Sequence, residues 1–277
     1  MNDFVHMNVN GIGLKRAVEA QLHTMVIAGI LHLKQVAIDG HIIFGVIVQP
    51  LIVACTAIYL LREKDSFDMI YAIVGSGLSS LWSNTMYFSV YAARVERWTG
   101  TLESLIGSPM PLISVLLGKS LANALLAFLS TILAYLLVIS FFEYELTIHS
   151  PWLFAVTWLL AILGIVSFGL LLMPLALANL GATNWANTFE FPMYILGGFL
   201  FPISILPSWT TFVSYLLSPY WAAQALHTVS QPTLDMGILL LYWGFLVFWS
   251  GVNIGLSLWL FQITLHRARK TAVLAYK

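Results

Sequence analysis

Read for hydrophobic and polar positions, the chain is a succession of long apolar runs separated by short polar breaks. Residues 1–13 are polar, rich in glycine and asparagine and without periodicity, and are expected to form a loose tail. Over 14–38, Leu22, Val26, Ile30 and Leu33 recur every three or four positions, while Lys15, Glu19, His23 and Lys34 keep the stretch too polar to span a bilayer. That spacing predicts a helix lying at a membrane interface. Five continuous apolar runs follow, at 42–61, 67–93, 112–142, 152–180 and 236–265, each long enough for a hydrocarbon core of roughly 30 Å. Gln49-Pro50 falls midway in the first and predicts a kink there, because proline removes a backbone donor. The second carries Ser76, Ser79, Ser80, Ser83 and Asn84 with several glycines, the composition of a closely packed membrane helix.

Two places break the pattern. A further span is expected to start near Asn184, but Asn184, Asn187 and Glu190 fall within a sector of about 120° on a helix and are followed by Pro192, Gly197-Gly198 and Pro202. Such a helix is expected to stop short of a straight crossing. The next stretch, 201–226, is apolar yet cut by Pro202, Pro207 and Pro219, with Trp209, Tyr215, Tyr220 and Trp221 suited to an interface. The second break is RVERWTGTLESLIGSP at 94–109, the long polar interruption of the chain. Thr99, Gly100 and Thr101 offer a turn and a cap, and Leu102, Leu105 and Ile106 recur at helical spacing before Pro109, which predicts a short amphipathic helix over 101–107. A plain solvated connection with one helical turn is the simpler reading of the same residues.

Composition fixes the class. The 277 residues are 60% hydrophobic and 9% charged, with a mean hydropathy of +0.88, so an integral membrane protein is expected. The net charge of zero hides an asymmetry: Lys15, Arg16, Lys34, Arg94, Arg97, Lys119, Arg267, Arg269, Lys270 and Lys277 fall on one side of the expected spans, and Arg62 and Lys64 on the other. Short-loop Lys and Arg mark the cytoplasmic side, so both termini are expected to be cytoplasmic in a cell (plasma or inner) membrane. The single cysteine, Cys55, lies within the first run and reads as a small buried hydrophobe. The polar residues of the first 40 positions leave no uninterrupted signal-peptide core.

Catalytic chemistry is not apparent. There is no H-E-x-x-H, G-x-S-x-G or complete phosphate-binding loop, and the seven histidines lack metal-ligand spacing. Gly118, Lys119 and Ser120 imitate the end of a G-x-x-x-x-G-K-S loop, but Ile113 stands where its first glycine belongs, and Lys119 reads instead as a residue that snorkels to the interface. Glu190 is the one intramembrane acid of interest. Lying about 10 Å along its span, it is expected to face the bundle or a water-filled path, unless the span begins later and the acid snorkels to the cytoplasmic interface.

The 94–109 stretch resembles the signature of type-2 ATP-binding-cassette exporter permeases, an E-R-E-x-G-T-L-E-x-L run ending in a small residue and proline. Glu96, Arg97, Gly100, Thr101, Leu102, Glu103, Leu105, Ser108 and Pro109 carry the match, and Trp98 stands where the family usually has a second acid. A second resemblance, to a G-x-x-F-P-x-x-x-L-P segment and a downstream proline-aromatic pair, rests on Gly198, Phe201, Pro202, Leu206, Pro207, Pro219 and Tyr220. The resemblance implies an all-α membrane protein of six transmembrane helices, with an N-terminal interfacial helix in 1–40 and a six-span domain over 41–277. It further implies a cytoplasmic coupling helix in 94–109 and an outer re-entrant helical hairpin at about 203–226. It implies a non-catalytic permease that binds no cofactor itself, works with a second permease copy and with two copies of an ATPase subunit that binds ATP and Mg, and exports its substrate. In that family the interfacial helix packs near the ATPase; a plain membrane anchor is the other reading. An ion-coupled carrier protonated at Glu190 and a membrane-embedded enzyme are the competing classes, the latter lacking any paired catalytic groups at one membrane level.

Overall fold

The computed structural model describes residues 14–36, 44, 48–61, 69–98, 112–142, 150–178, 182–231 and 233–271. Its helices are α1 (Leu14–Val36), α2 (Gln49–Leu61), α3 (Met69–Trp98), α4 (Leu112–Phe142), α5 (Pro151–Ala178), α6 (Ala182–Leu196), α7 (Ser208–Tyr215), α8 (Ser218–Val229) and α9 (Met236–Thr271), with one 3-10 turn at Ile203–Ile205. Among the described residues there is no strand. Two of the helices contain stretches long and apolar enough to cross a membrane, Pro151–Leu172 in α5 and Met236–Thr264 in α9.

Helix α3 is the axis of the bundle. Every residue from Ala72 to Trp82 is buried, and the helix touches α2, α4, α5, α6 and α8. A helix buried on all sides must be approached closely from all sides, and its small residues permit this. A Cβ on Gly77 would strike the Thr131 hydroxyl of α4 and come within 2.9 Å of the Trp158 ring of α5, and one on Gly75 would run into the Phe199 carbonyl. Around these contacts Trp82, Trp158 and Phe199 are fully buried, with Trp82 tilted on Phe168 and Phe128 on Trp158 at centroid separations of 5.7 and 5.6 Å.

Helix α1 lies against the first turns of α4. The crossing is made by backbone: a Cβ on Gly118 would strike the Met25 carbonyl, and one on Gly29 would stand 3.1 Å from the Gly118 carbonyl oxygen. Ala28, Gly29 and His32 are buried on that side. The periodic residues Leu22, Val26 and Ile30 are exposed, so the stripe that predicts the helix faces away from the protein while small residues make the contact.

Helices α5, α8 and α9 form a second unit. The Ser218 hydroxyl donates to the Gly164 carbonyl at 2.7 Å and accepts from Asn253 Nδ2 at 2.9 Å, joining all three helices through one buried atom. Ser257 donates to the Leu170 carbonyl at 2.6 Å, and Trp243 Nε1 to the Thr157 hydroxyl at 3.2 Å. Interhelical hydrogen bonds in membrane proteins average about 0.6 kcal/mol and reach about 1.7. Ser218→Ala removes two of them and strands the Asn253 amide, so a loss of about 1–2 kcal/mol is expected, read as a lower melting temperature in detergent. Ser230→Ala, whose hydroxyl donates to the Leu226 carbonyl of α8 at 2.7 Å, is the matched control.

The helix limits follow the hydropathy pattern in some places and depart from it in others. Pro50 is the second residue of α2, and Phe44 and Val48 ahead of it are π-helical, so the backbone changes from π to α helix just before the proline. Helix α3 continues beyond the apolar run through Arg94–Trp98, since no proline or glycine stops it before Gly100. Helix α6 is 15 residues long, about 22 Å, and ends at Gly197-Gly198. Gly198 takes φ +64°, a conformation L-residues rarely adopt, while Gly197 and Phe199 donate to the Met193 and Tyr194 carbonyls at 2.8 and 3.3 Å.

Candidate functional site

The polar residues of α3 do different jobs. Ser76 and Ser79 donate back to the Ile73 and Gly75 carbonyls of their own helix at 2.8 Å each, and Asn84 donates to the Ser80 carbonyl at 2.9 Å. Ser83 instead reaches another element. Its hydroxyl donates to Glu190 Oε1 of α6 at 2.5 Å and makes a further short hydrogen bond with the Tyr194 hydroxyl. The Tyr194 hydroxyl also lies within hydrogen-bond distance of that carboxyl oxygen, at 2.9 Å, so the two hydroxyl protons are shared among three contacts. Glu190 and Tyr194 are four residues apart, so they share one face of α6, and that face is turned to α3. Two hydroxyl oxygens, one from each helix, thus meet at one carboxyl oxygen.

The site is open to one side. Ser83, Glu190 and Tyr194 are half-buried, whereas Phe189, Phe191 and Pro192 of the same helix are exposed. The Phe191 ring stands edge-on to Tyr194 at 5.9 Å and 89°. Asn184 and Asn187 lie on the first two turns of α6, ahead of the acid. Pro192 sits within α6 without ending it, and its missing N–H leaves the Thr188 carbonyl without a helical donor.

Tyr194 ties this cluster to the turn that ends α6. Its carbonyl accepts from Phe199, and its ring lies 6.1 Å from the Phe199 ring. The Phe199 carbonyl, pressed against Gly75, is also hydrogen-bonded at 3.1 Å by His227 Nε2 from α8. The His227 ring is buried and stacks on Tyr71 of α3 at 3.4 Å and 4°. Sequence reasoning missed Ser83 as a partner, Tyr194 and His227. The four-residue spacing to Glu190 could have found Tyr194; nothing local pairs Ser83 with a residue 107 positions away.

The other predicted residues are spread along the chain. Glu96 and Arg97 are in the last turns of α3. Gly100, Thr101, Leu102, Glu103 and Leu105, with the helix expected over 101–107, lie outside the described residues. Phe201 is half-buried, and Pro202 and Pro207 are exposed immediately before the 3-10 turn and α7. Pro219 and Tyr220 are buried at the start of α8, where the Tyr220 ring meets Tyr215 at 5.4 Å and Trp221 at 5.0 Å. Trp221 Nε1 donates to the Tyr215 carbonyl at 3.0 Å, closing the turn between α7 and α8. No group of three or more His, Cys, Asp or Glu able to hold a metal occurs among the described residues.

An all-helical membrane protein with a polar cluster at its central helix is the class these features define. The profile of the ABC-2 type transporter family matches residues 23–229, from α1 to the end of α8. The chain belongs to that family and is a permease subunit of an ABC transporter. Comparison with curated proteins gives no match.

Proposed function

We propose that this chain forms, with a second identical or related permease copy, the translocation pathway of an exporter driven by two copies of a separate ATPase subunit that binds ATP and Mg. The observation that carries the reading is the continuity of α3. One helix holds Ser83 at the Glu190 carboxyl and, about 16 Å further along, enters the 94–109 signature at Arg94. A push on that loop by the ATPase pair is therefore delivered to the helix that touches the acid. In this reading Glu96, Arg97, Gly100, Thr101, Leu102, Glu103 and Leu105 face the ATPase, with Glu103 central. Helix α1, lying on the start of α4 just after the loop, moves with it.

The proposed architecture has six spans, α2, α3, α4, α5, α6 and α9, in the cell membrane with both termini cytoplasmic. The 3-10 turn, α7 and α8 make the outer re-entrant hairpin, in which Phe201, Pro202, Pro207, Pro219 and Tyr220 set the breaks. Asn184, Asn187, Glu190 and Pro192 line and gate the cytoplasmic entrance of the pathway. Orientation is tested by single cysteines in a Cys55→Ala background. A cysteine at Ser104 is expected to resist an impermeant maleimide applied to intact cells and one at Thr147 to react; the reverse pattern inverts the topology. Reconstitution with the ATPase tests the energy source. Transport is expected to require ATP hydrolysis, and transport by this chain alone on a proton gradient would make it a carrier.

A further inference from the structure

We propose that Glu190, held by Ser83 and Tyr194, is the recognition point for a lipophilic organic cation, an inference that rests on reading α6 as part of the pathway of a permease. The two hydroxyls converge on Oε1, at 2.5 Å from Ser83 and 2.9 Å from Tyr194. They occupy that oxygen and leave Oε2 with no hydrogen bond or ion pair among the described residues. The carboxyl is only half-buried, so the second oxygen is not sealed off.

The aromatic residues that flank Glu190 on its helix select the ligand. Phe189 and Phe191 stand about 100° to either side of Glu190 on the helix, 48% and 68% exposed, and Tyr194 follows one turn on. Ring faces attract cations as a carboxylate does, through their negative quadrupole. An anionic ligand would meet a carboxylate that has no base beside it among the described residues. A neutral apolar ligand would cover the charge without compensating it, at a cost of several kcal/mol. A cation with an apolar body gains from the acid and from the rings together. Its positive centre belongs either to a free amphiphile or to the amine headgroup of a lipid, chemistry that the acid does not distinguish.

The test uses the purified full chain in dodecyl maltoside, a detergent without charge. Equilibrium dialysis compares tetraphenylphosphonium with tetraphenylborate, ions of one shape and opposite sign. The cation is expected to bind about tenfold more tightly than the anion, and Glu190→Gln to weaken cation binding about tenfold without weakening anion binding. Ser83→Ala and Tyr194→Phe are expected to weaken it by a smaller factor, about threefold. Displacement of the cation by phosphatidylethanolamine supports a headgroup ligand, and displacement by dodecylamine alone supports a free amphiphile. A second measurement needs no variant: dicyclohexylcarbodiimide is expected to modify Glu190 of the native chain, and tetraphenylphosphonium to slow this where tetraphenylborate does not. Equal cation affinity in the wild type and a monodisperse Glu190→Gln overturns the proposal, as does absence of protection in the native chain. Either failure alongside normal association with the ATPase sinks this inference alone. Charge-selective binding without an ATPase partner would instead sink the exporter reading and leave the site.

Discussion

Gly75→Leu is expected to yield no monodisperse protein, and Gly75→Ala to lower stability by about 1–3 kcal/mol, or melting by roughly 5 °C. The reason is what stands opposite. A Cβ at position 75 meets the Phe199 carbonyl oxygen, which is backbone and cannot swing aside as a side chain would. That carbonyl is held from behind by His227, which is itself stacked on Tyr71, and the turn it belongs to contains Gly198 at φ +64°. Relief therefore requires α3 and α6 to separate, which pulls Tyr194 and Glu190 away from Ser83. Gly251→Ala in α9 is the control. Nothing stands within 4 Å of a Cβ there, so a neutral or slightly stabilising change is expected, as alanine is the better helix former. Thermal melts of the three variants in one detergent check the order, and a Gly75→Leu as stable as the wild type would refute the close contact.

Glu103→Arg and Leu105→Asp are expected to reduce ATP-driven export by more than about tenfold while leaving expression and membrane insertion intact. Both positions belong to the 94–109 signature that follows α3, and neither lies in an apolar run. At the proposed interface, charge reversal at Glu103 changes the sign offered to the ATPase. An acid at Leu105 removes an apolar contact from the expected amphipathic face. The measurement is transport into proteoliposomes with the partner ATPase, together with co-purification of the two chains. Loss of transport with ATP hydrolysis retained is the uncoupled state the proposal requires. Export at wild-type rates by both variants would remove the loop from the mechanism.

How far these features were legible in the sequence follows from the range of the forces behind them. The limits of α4 coincide with the apolar run 112–142, because a continuous apolar stretch without breakers leaves the backbone no better option than helix. The early end of α6 was legible too, since Gly197-Gly198 is a local stop signal. Charge misled at the end of α3: Arg94 and Glu96 mark where apolar character stops, but helix propensity carries the backbone on to Trp98. Periodicity found α1 but not its contact with α4, which Gly29 and Gly118 make by letting the backbones meet while the apolar stripe stays exposed. Glu190 stood out as an acid in an apolar setting, yet its partner Ser83 is a choice of tertiary packing that no local pattern encodes. His227 gave no signal, being one histidine in an apolar stretch whose partner is a main-chain carbonyl.

The Ser218 node has a mechanical consequence. Helices in a bundle can change state by ratcheting one turn, about 5.4 Å, past one another, but only where the new register offers equivalent partners. One turn beyond Asn253 stands Ser257, already bonded to the Leu170 carbonyl of α5, so sliding α9 along α5 and α8 breaks both of these anchors and the Trp243–Thr157 bond as well. Helices α5, α8 and α9 are thereby locked in register and must travel as one stator against which the rest is geared. In the proposed mechanism the stroke falls to α3 and α6, whose junction is a hydroxyl cluster and a glycine-bearing turn. A cycle of the proposed kind would therefore carry these three helices as a block instead of sliding them past one another.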